Sequence, residues 1–84
     1  MLIRFFAAAR AAVGTDEVRL PSTAGSLGDA LDAVDATTVV ADPARWTALQ
    51  ARCSFLLDGV STRDRSASID GVAMIDVMPP FAGG

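Results

Sequence analysis

The sequence contains no lysine, no histidine and no asparagine, and Cys53 is its single cysteine. Histidine is the usual general base and the commonest transition-metal ligand, so both kinds of site lack their most frequent residue. Without lysine the chain cannot form a Schiff base, and one cysteine cannot form an internal disulfide. Cys53 begins an apolar segment and has no histidine partner, which favours simple packing over a nucleophilic or persulfide-carrying role.

The composition indicates one small globular domain. A chain of 84 residues is short for two domains, and 51% hydrophobic residues are enough for a buried core. The net charge of −3 and the scattered arginines argue against binding to nucleic acid or an anionic membrane surface. The singly spaced aspartates do not match a calcium loop, so we expect no metal site. No apolar run reaches transmembrane length and no signal-peptide pattern is present, so we expect a soluble, cytoplasmic protein.

The first twenty residues predict two paired strands. Residues 2–9 alternate between two sides, one of which carries Arg4 and Phe6. Residues 13–16 (VGTD) are typical of a chain reversal, and residues 17–20 (EVRL) are typical of a short alternating strand. We therefore expect a β-hairpin in which Phe6 is exposed on the side that also carries Arg4.

The middle of the chain predicts two helices. Ser26 is a good N-cap for the apolar stripe of SLGDALDAV. Asp42 followed by Pro43 is typical of the start of a second, short helix, in which Trp46 packs inward. The structure of residues 35–44 is otherwise left open.

Two more strands are predicted after the helices. The segment CSFLLDG is typical of a third strand that ends in a turn at Asp58 and Gly59. The segment DRSASIDG predicts a loop that contains at most a short strand. The last strand, VAMIDVM, places Met74, Asp76 and Met78 on one side, and a proline ends it.

This order of elements is typical of an α+β domain. It matches a ubiquitin-like β-grasp, in which one main helix and a short second helix cover one face of a mixed sheet. We expect residues 1–78 to form the β-grasp domain and residues 79–84 to form an extended C-terminal tail that ends in Gly-Gly. If the first and last strands are neighbours, Phe6, Met74 and Met78 form an exposed apolar patch beside the tail, as interfaces often do.

The tail, PPFAGG, combines stiff and flexible residues. Two prolines hold an extended, semi-rigid segment that directs the chain away from the domain. The four residues that follow span on the order of 13 Å when extended. Gly83 and Gly84 have no Cβ, so they can enter a slot too narrow for other residues. A rigid exit followed by Phe81 and two glycines indicates a functional tail rather than a frayed terminus.

The segment DVMPPFAGG resembles the carboxyl terminus of the MoaD/ThiS family of ubiquitin-like sulfur carriers. In that family a strand ends in Pro-Pro, followed by a hydrophobic residue, a small residue and Gly-Gly. FFAAARAAVGTDEV and RCSFLLDG also resemble the family, so the similarity covers most of the chain and is weakest over residues 35–44. The chain is most similar to the small, sulfur-carrying subunit of molybdopterin synthase.

This resemblance implies a reaction cycle on Gly84. An E1-like activating enzyme of the MoeB type adenylates the Gly84 carboxylate with ATP, and a sulfurtransferase then converts it to a thiocarboxylate. The tail inserts into a large subunit of the MoaE type, where the sulfur attacks cyclic pyranopterin monophosphate and forms the molybdopterin dithiolene. The catalytic pocket then lies on the large subunit, and the small subunit holds no permanent cofactor. The inserted residues are Pro80, Phe81, Ala82 and Gly83.

The resemblance also implies that Phe6, Arg10 and Met78 contact the large subunit, and that two small subunits bind a dimer of large ones. Three other functions stay open. Other sulfur carriers, which serve thiazole, cysteine or thio-base synthesis, share the Gly-Gly end. A ubiquitin-like modifier would join Gly84 to lysines of target proteins, and a plain β-grasp interaction module would make no chemical use of its tail. The Pro-Pro-hydrophobic-small segment before Gly-Gly favours molybdopterin synthesis.

Overall fold

The computed structural model describes residues 1–21 and 25–80, which form an α+β domain. Its elements are β1 (Leu2–Phe5), α1 (Ala7–Val13), β2 (Glu17–Arg19), α2 (Leu27–Thr37), α3 (Pro43–Gln50), β3 (Ser54–Leu57), β4 (Val60–Thr62) and β5 (Met74–Met78). The strands form one five-stranded mixed sheet in the order β2-β1-β5-β3-β4. The predicted α+β class with a mixed sheet is confirmed, and the arrangement is compatible with a β-grasp-like fold.

Strand β5 lies at the centre of the sheet, with β1 on one side and β3 on the other. β1 and β5 are parallel, and their register pairs Ile3 with Ile75 and Phe5 with Val77. β2 pairs antiparallel with β1, and β3 pairs antiparallel with both β5 and β4. Because side chains alternate along each strand, this register fixes which residues of β1 and β5 share a face.

The helices cover one face of the sheet, and the core lies between the two layers. Phe5 and Trp46 meet edge to face with their ring centroids 5.6 Å apart, a favoured aromatic geometry. The indole N–H of Trp46 donates to Oδ1 of Asp35 at 2.9 Å, so the polar atom of this buried ring has a partner. The buried core residues are Ile3, Phe5, Ala9, Ala12, Val13, Leu20, Leu27, Ala30, Leu31, Val34, Trp46, Cys53, Phe55, Ile69, Ile75 and Val77.

Helix α1 replaces the end of the predicted first strand and the start of the predicted turn. Its sequence, AAARAAV, is rich in alanine, which has the highest helix propensity. Ala9, Ala12 and Val13 are buried at helical spacing, and Gly14 ends the helix in the left-handed region at φ 94°. β1 and β2 pair antiparallel as predicted, but a helix rather than a tight turn connects them.

Both predicted helix starts are confirmed. The hydroxyl of Ser26 accepts a hydrogen bond from the backbone N–H of Asp29, and the Asp29 carboxylate accepts one from the N–H of Ser26, which is a capping box. Asp42 caps α3 by accepting from the N–H of Arg45, with a proline in the first turn. Over residues 1–21 and 25–80, no helix has both the length and the apolar character that a membrane crossing requires.

Strand β4 is an element that the sequence did not predict. Asp58 and Gly59 form the predicted turn with positive φ values of 47° and 89°, which is the pattern of a type I′ hairpin turn. The chain therefore folds straight back into β4. The Asp58 carboxylate accepts hydrogen bonds of 2.9 to 3.2 Å from backbone N–H groups at the start of β5. In the loop before β5, the expected short strand is reduced to a single bridge between Ser26 and Ser68.

Candidate functional site at the end of strand β5

Phe6 and Met78 lie next to each other on the outer face of the sheet, where β1 and β5 end. The strand register joins Phe5 to Val77, and the backbone N–H of Phe6 donates to the carbonyl oxygen of Val77 at 3.3 Å. Phe5 and Val77 are buried in the core, whereas Phe6 is 37% and Met78 is 36% exposed. Strand alternation thus turns Phe6 and Met78 away from the helices, immediately before Pro79.

An ion pair between neighbouring strands occupies the same outer face. Nε and Nη2 of Arg4 donate to the two carboxylate oxygens of Asp76 at 2.7 and 2.9 Å. The guanidinium carbon of Arg4 also lies 5.5 Å from the centroid of the Phe6 ring, within the range of a cation–π contact. The hydrogen bond to Asp76 raises the pKa of Arg4 above its ordinary value. Asp76 was expected on the side that faces water, but in the fold it is only 8% exposed.

Arg10 reaches the same end of the sheet from helix α1. Its Nη1 lies 3.3 Å from Oδ1 of Asp16, and both side chains are mostly exposed. Phe6, Arg10, Asp16 and Glu17 line a shallow cavity of about 190 Å³ together with Arg4. The structure therefore brings two of the predicted interface residues to one site, and it adds Asp16 and Glu17. From the sequence, Asp16 was predicted to lie in the chain reversal and Glu17 at the start of the second strand, and neither was predicted to be a site residue.

Met74 contributes less to this surface than the sequence predicted. It lies opposite Leu2 in the register of β1 and β5 and is partly buried. The exposed apolar patch therefore consists mainly of Phe6 and Met78.

The predicted tail begins at the edge of this patch. Pro79 is partly buried and Pro80 is exposed. The predictions for Phe81, Ala82, Gly83 and Gly84 fall outside the described residues, so the insertion and the chemistry assigned to them stay predictions.

Cys53 lies just before β3 and is 1% exposed. Burial raises the pKa of its thiol to about 11, and the charge of Arg63 opposes this shift only in part. The thiolate is the nucleophilic form of cysteine, so this thiol is almost entirely unreactive at neutral pH. The predicted packing role fits this environment.

The described part of the chain contains no candidate metal-binding centre. Across residues 1–21 and 25–80, no three histidine, cysteine, aspartate or glutamate side chains come together in a group that could hold a metal ion.

Comparison of the chain with protein-family models and with curated proteins found no match. The assignment of a function therefore depends on the residues of the chain and on the geometry of the surface formed by Phe6, Arg10 and Met78.

Proposed function

We propose that this chain is the sulfur-carrier subunit of molybdopterin synthase and that Gly84 carries the sulfur. The proposal rests on one observation. Phe6 and Met78 are exposed apolar side chains at the ends of adjacent strands, directly before the two prolines that lead into the tail. An apolar patch at the base of a Gly-Gly tail suits a protein that docks on a partner and extends its terminus into it.

The chemistry proposed for Gly84 needs no other reactive group of this chain. The Gly84 carboxylate is a poor electrophile until an E1-like activating enzyme adenylates it with ATP. The outer sulfur of a sulfurtransferase persulfide then attacks the acyl carbon and displaces AMP, which forms an acyl disulfide. A second thiol reduces that S–S bond and forms its own disulfide with the sulfurtransferase. The product on Gly84 is a thiocarboxylate, which is ionised at neutral pH and is a soft nucleophile. The large subunit supplies the bases and the pocket for cyclic pyranopterin monophosphate. We expect this cycle to operate in the cytoplasm.

The environment of Cys53 supports placing the sulfur on the terminus. A cysteine that carried persulfide sulfur would need a thiolate that partner proteins can reach. The Cys53 thiol is instead 1% exposed, and its pKa is raised to about 11. Among the residues of this chain, Gly84 is therefore the better candidate to receive sulfur.

The polar groups beside the patch support a specific contact with the large subunit. Arg4 and Asp76 satisfy each other within the domain, so they add little to an interface. The pair of Arg10 and Asp16 is exposed, and exposed ion pairs contribute little to stability. Arg10 can therefore exchange Asp16 for a carboxylate of the partner at little cost, and Phe6 and Met78 remain as apolar anchors.

The proposal is tested by incubating the 84-residue chain with ATP, a MoeB-type activating enzyme, a persulfide-loaded sulfurtransferase and a thiol reductant. Intact-mass analysis is expected to show the replacement of one oxygen by sulfur in the full chain and none in a chain that lacks Gly84. The Cys53→Ala variant is the matched control and should gain the same sulfur. A sulfur adduct that forms without Gly84, or that requires Cys53, would contradict the proposal.

Adding the large subunit and cyclic pyranopterin monophosphate separates the related functions. Consumption of the thiocarboxylate with formation of the dithiolene supports molybdopterin synthesis. A thiocarboxylate that forms but is not consumed points to another sulfur-accepting pathway. Transfer of Gly84 to lysine side chains of other proteins would identify a ubiquitin-like modifier instead.

A further inference from the structure

A second surface, here called the α1–α3 groove, lies between helices α1 and α3 where the chain leaves β5. It is lined by Ala8, Arg45, Ala48, Leu49, Arg52 and the two prolines after β5, and it has a volume of about 340 Å³. The cavity at Phe6 and Arg10 shares none of these residues. A groove of this size has room for a bulky side chain of a binding partner.

One stripe of residues along α3 and the turn after it supplies the charge and much of the apolar floor of the groove. Arg45, Ala48, Leu49 and Arg52 follow one another at helical spacing, so they share one face. Ala48 is exposed, and Leu49 also packs against the core, so together with the prolines they form a firm apolar floor. The two arginines are seven positions apart, roughly 10 Å along a helix axis, so they stand at the two ends of this stripe.

The charge of these two arginines is not neutralised by the described residues. The ion pairs found in residues 1–21 and 25–80 use other arginines, and no carboxylate of that part of the chain lines the groove. Asp42 accepts a hydrogen bond from the backbone N–H of Arg45 rather than from its guanidinium. Nη2 of Arg63 donates to the carbonyl oxygen of Arg52 at 3.3 Å, which brings a third cation to that end of α3. A cluster of cations in a chain of net charge −3 is complementary to an acidic partner.

We propose that the α1–α3 groove binds an acidic segment of a partner protein. One bulky apolar side chain of that segment packs on the apolar floor, and carboxylates on either side of it pair with Arg45 and Arg52. The planar guanidinium group matches a carboxylate with two parallel hydrogen bonds, and an apolar anchor between two such pairs fixes the position of the segment. A nucleic acid fits this surface less well, because the net charge of the chain repels it and an apolar floor separates the two arginines.

A partner in the groove leaves Phe6 and Met78 uncovered. The groove lies among the helices, whereas these two side chains lie on the outer face of the sheet. The groove therefore allows a second protein to stay bound while another partner docks on the outer face. The site does not depend on the sulfur transfer proposed for Gly84, so the two proposals can fail separately.

Titration of the isotope-labelled, full-length chain with a synthetic acidic peptide tests this inference by nuclear magnetic resonance. The peptide carries one phenylalanine between two pairs of glutamates. We expect saturable shifts of the backbone amide signals of Ala48, Leu49 and Arg52, and no comparable shifts at Phe6 and Met78. Replacing the glutamates of the peptide by glutamines, or its phenylalanine by alanine, should each weaken binding about fivefold or more, because each change removes one of the two kinds of contact.

Single charge reversals in the chain test the role of each arginine. Arg45→Glu and Arg52→Glu should each weaken peptide binding about fivefold or more, since an attractive pair becomes repulsive. Arg19→Glu makes the same change of net charge on the edge strand β2, outside the groove, and should bind the peptide as the parent does. All three arginines are exposed, so circular dichroism should show the parent fold in each variant. The glutamine peptide tests the charges on the parent chain itself and does not require any variant to fold.

The other outcomes overturn the inference. Absence of saturable shifts in the parent chain removes the groove as a docking site, and shifts centred on Phe6 and Met78 place the peptide on the outer face instead. Equal binding of the glutamate and glutamine peptides removes the charge recognition. A loss in Arg19→Glu as large as those in the groove variants shows that net charge alone attracts the peptide. A short oligouridylate that binds the groove more tightly than the peptide assigns the groove to nucleic acid.

Discussion

The guanidinium of Arg4 and the carboxylate of Asp76 join the parallel strands β1 and β5 through two hydrogen bonds of 2.7 and 2.9 Å. The side chain of Arg4 is 40% exposed and that of Asp76 is 12% exposed, so the two partners have unequal access to water. Loss of Arg4 leaves a carboxylate that water reaches poorly, whereas loss of Asp76 leaves a cation that water can solvate.

We therefore expect Arg4→Ala to lower the melting temperature more than Asp76→Ala does. The double variant Arg4→Ala/Asp76→Ala should be no less stable than Arg4→Ala alone, because it also removes the poorly solvated Asp76 carboxylate that Arg4→Ala leaves without its partner. Thermal unfolding followed by circular dichroism measures all three variants. Arg19→Ala, on the exposed edge strand β2, is the control and should change the melting temperature little. Equal losses in the two single variants would contradict the unequal solvation.

The thiol of Cys53 should make the free energy of unfolding depend on pH in the alkaline range, where no other side-chain type of this chain ordinarily titrates. Burial raises the pKa of its thiol from 9.0 to about 11, and the chain contains no lysine, histidine or tyrosine to titrate in that range. The unfolded thiol loses its proton near its ordinary pKa, whereas the folded thiol keeps it. Unfolding between these two values therefore releases a proton, and stability falls as the pH rises.

We expect the free energy of unfolding to decrease by about 2–3 kcal/mol across this alkaline range. The stabilising effect of the protonated thiol is fully present below the unfolded pKa and is lost as the pH rises through the folded pKa. Cys53→Ala should lose about 1 kcal/mol of stability at neutral pH through reduced packing but should show a flatter alkaline profile. Urea denaturation at a series of pH values measures both chains. Parallel profiles would show that the thiol does not cause the decrease.

Ala7, the first residue of α1, has a φ of 49°, a left-handed conformation that is uncommon for residues other than glycine. Ala7→Gly should remove this strain and stabilise the domain by about 0.5–1 kcal/mol. Ala11→Gly, at an exposed position within α1, is the matched control and should destabilise by about 0.5–1 kcal/mol. Chemical denaturation compares the two variants with the parent. If both glycines destabilise equally, the left-handed backbone at Ala7 carries no strain.

Strand alternation was the sequence signal that best predicted the candidate site. Arg4 and Asp76 mark the outer side of β1 and β5, and the same period of two places Phe6 and Met78 on that side. The burial of Asp76 was not predictable, because its partner lies 72 positions away and the strand order decides that they meet. The register of β1 and β5 in the folded chain sets Arg4 opposite Asp76, so the two side chains form a partly buried ion pair.

Helix α1 was missed because its sequence satisfies two patterns at once. The segment AAARAAV can be read as the continuation of an alternating strand, since alanine is small enough for either face. Its helix propensity and the buried spacing of Ala9, Ala12 and Val13 prevail in the fold. β4 was missed for a different reason: Val60–Thr62 has three residues, too few for a period to show, and the turn at Asp58 and Gly59 determines where it pairs.

The proposed docking of Phe6 and Met78 on a large partner subunit can be tested by replacing each of these exposed side chains with a charged one. Phe6→Asp and Met78→Asp should each keep the circular dichroism spectrum of the parent, because both side chains are more than one third exposed. Each should weaken binding to the large subunit of molybdopterin synthase roughly thirtyfold or more, as expected when an apolar anchor at an interface centre is replaced by a charge. Phe81→Asp should weaken binding by a similar factor if Phe81 occupies an apolar pocket of the partner.

Val39→Asp is the matched control. It adds the same charge at a side chain that is 96% exposed and outside the patch, so its affinity for the large subunit should match that of the parent in calorimetric titration. Loss of the folded spectrum in the Phe6 or Met78 variant would make that residue part of the core, and parent-like affinity in all the variants would place the partner on another face.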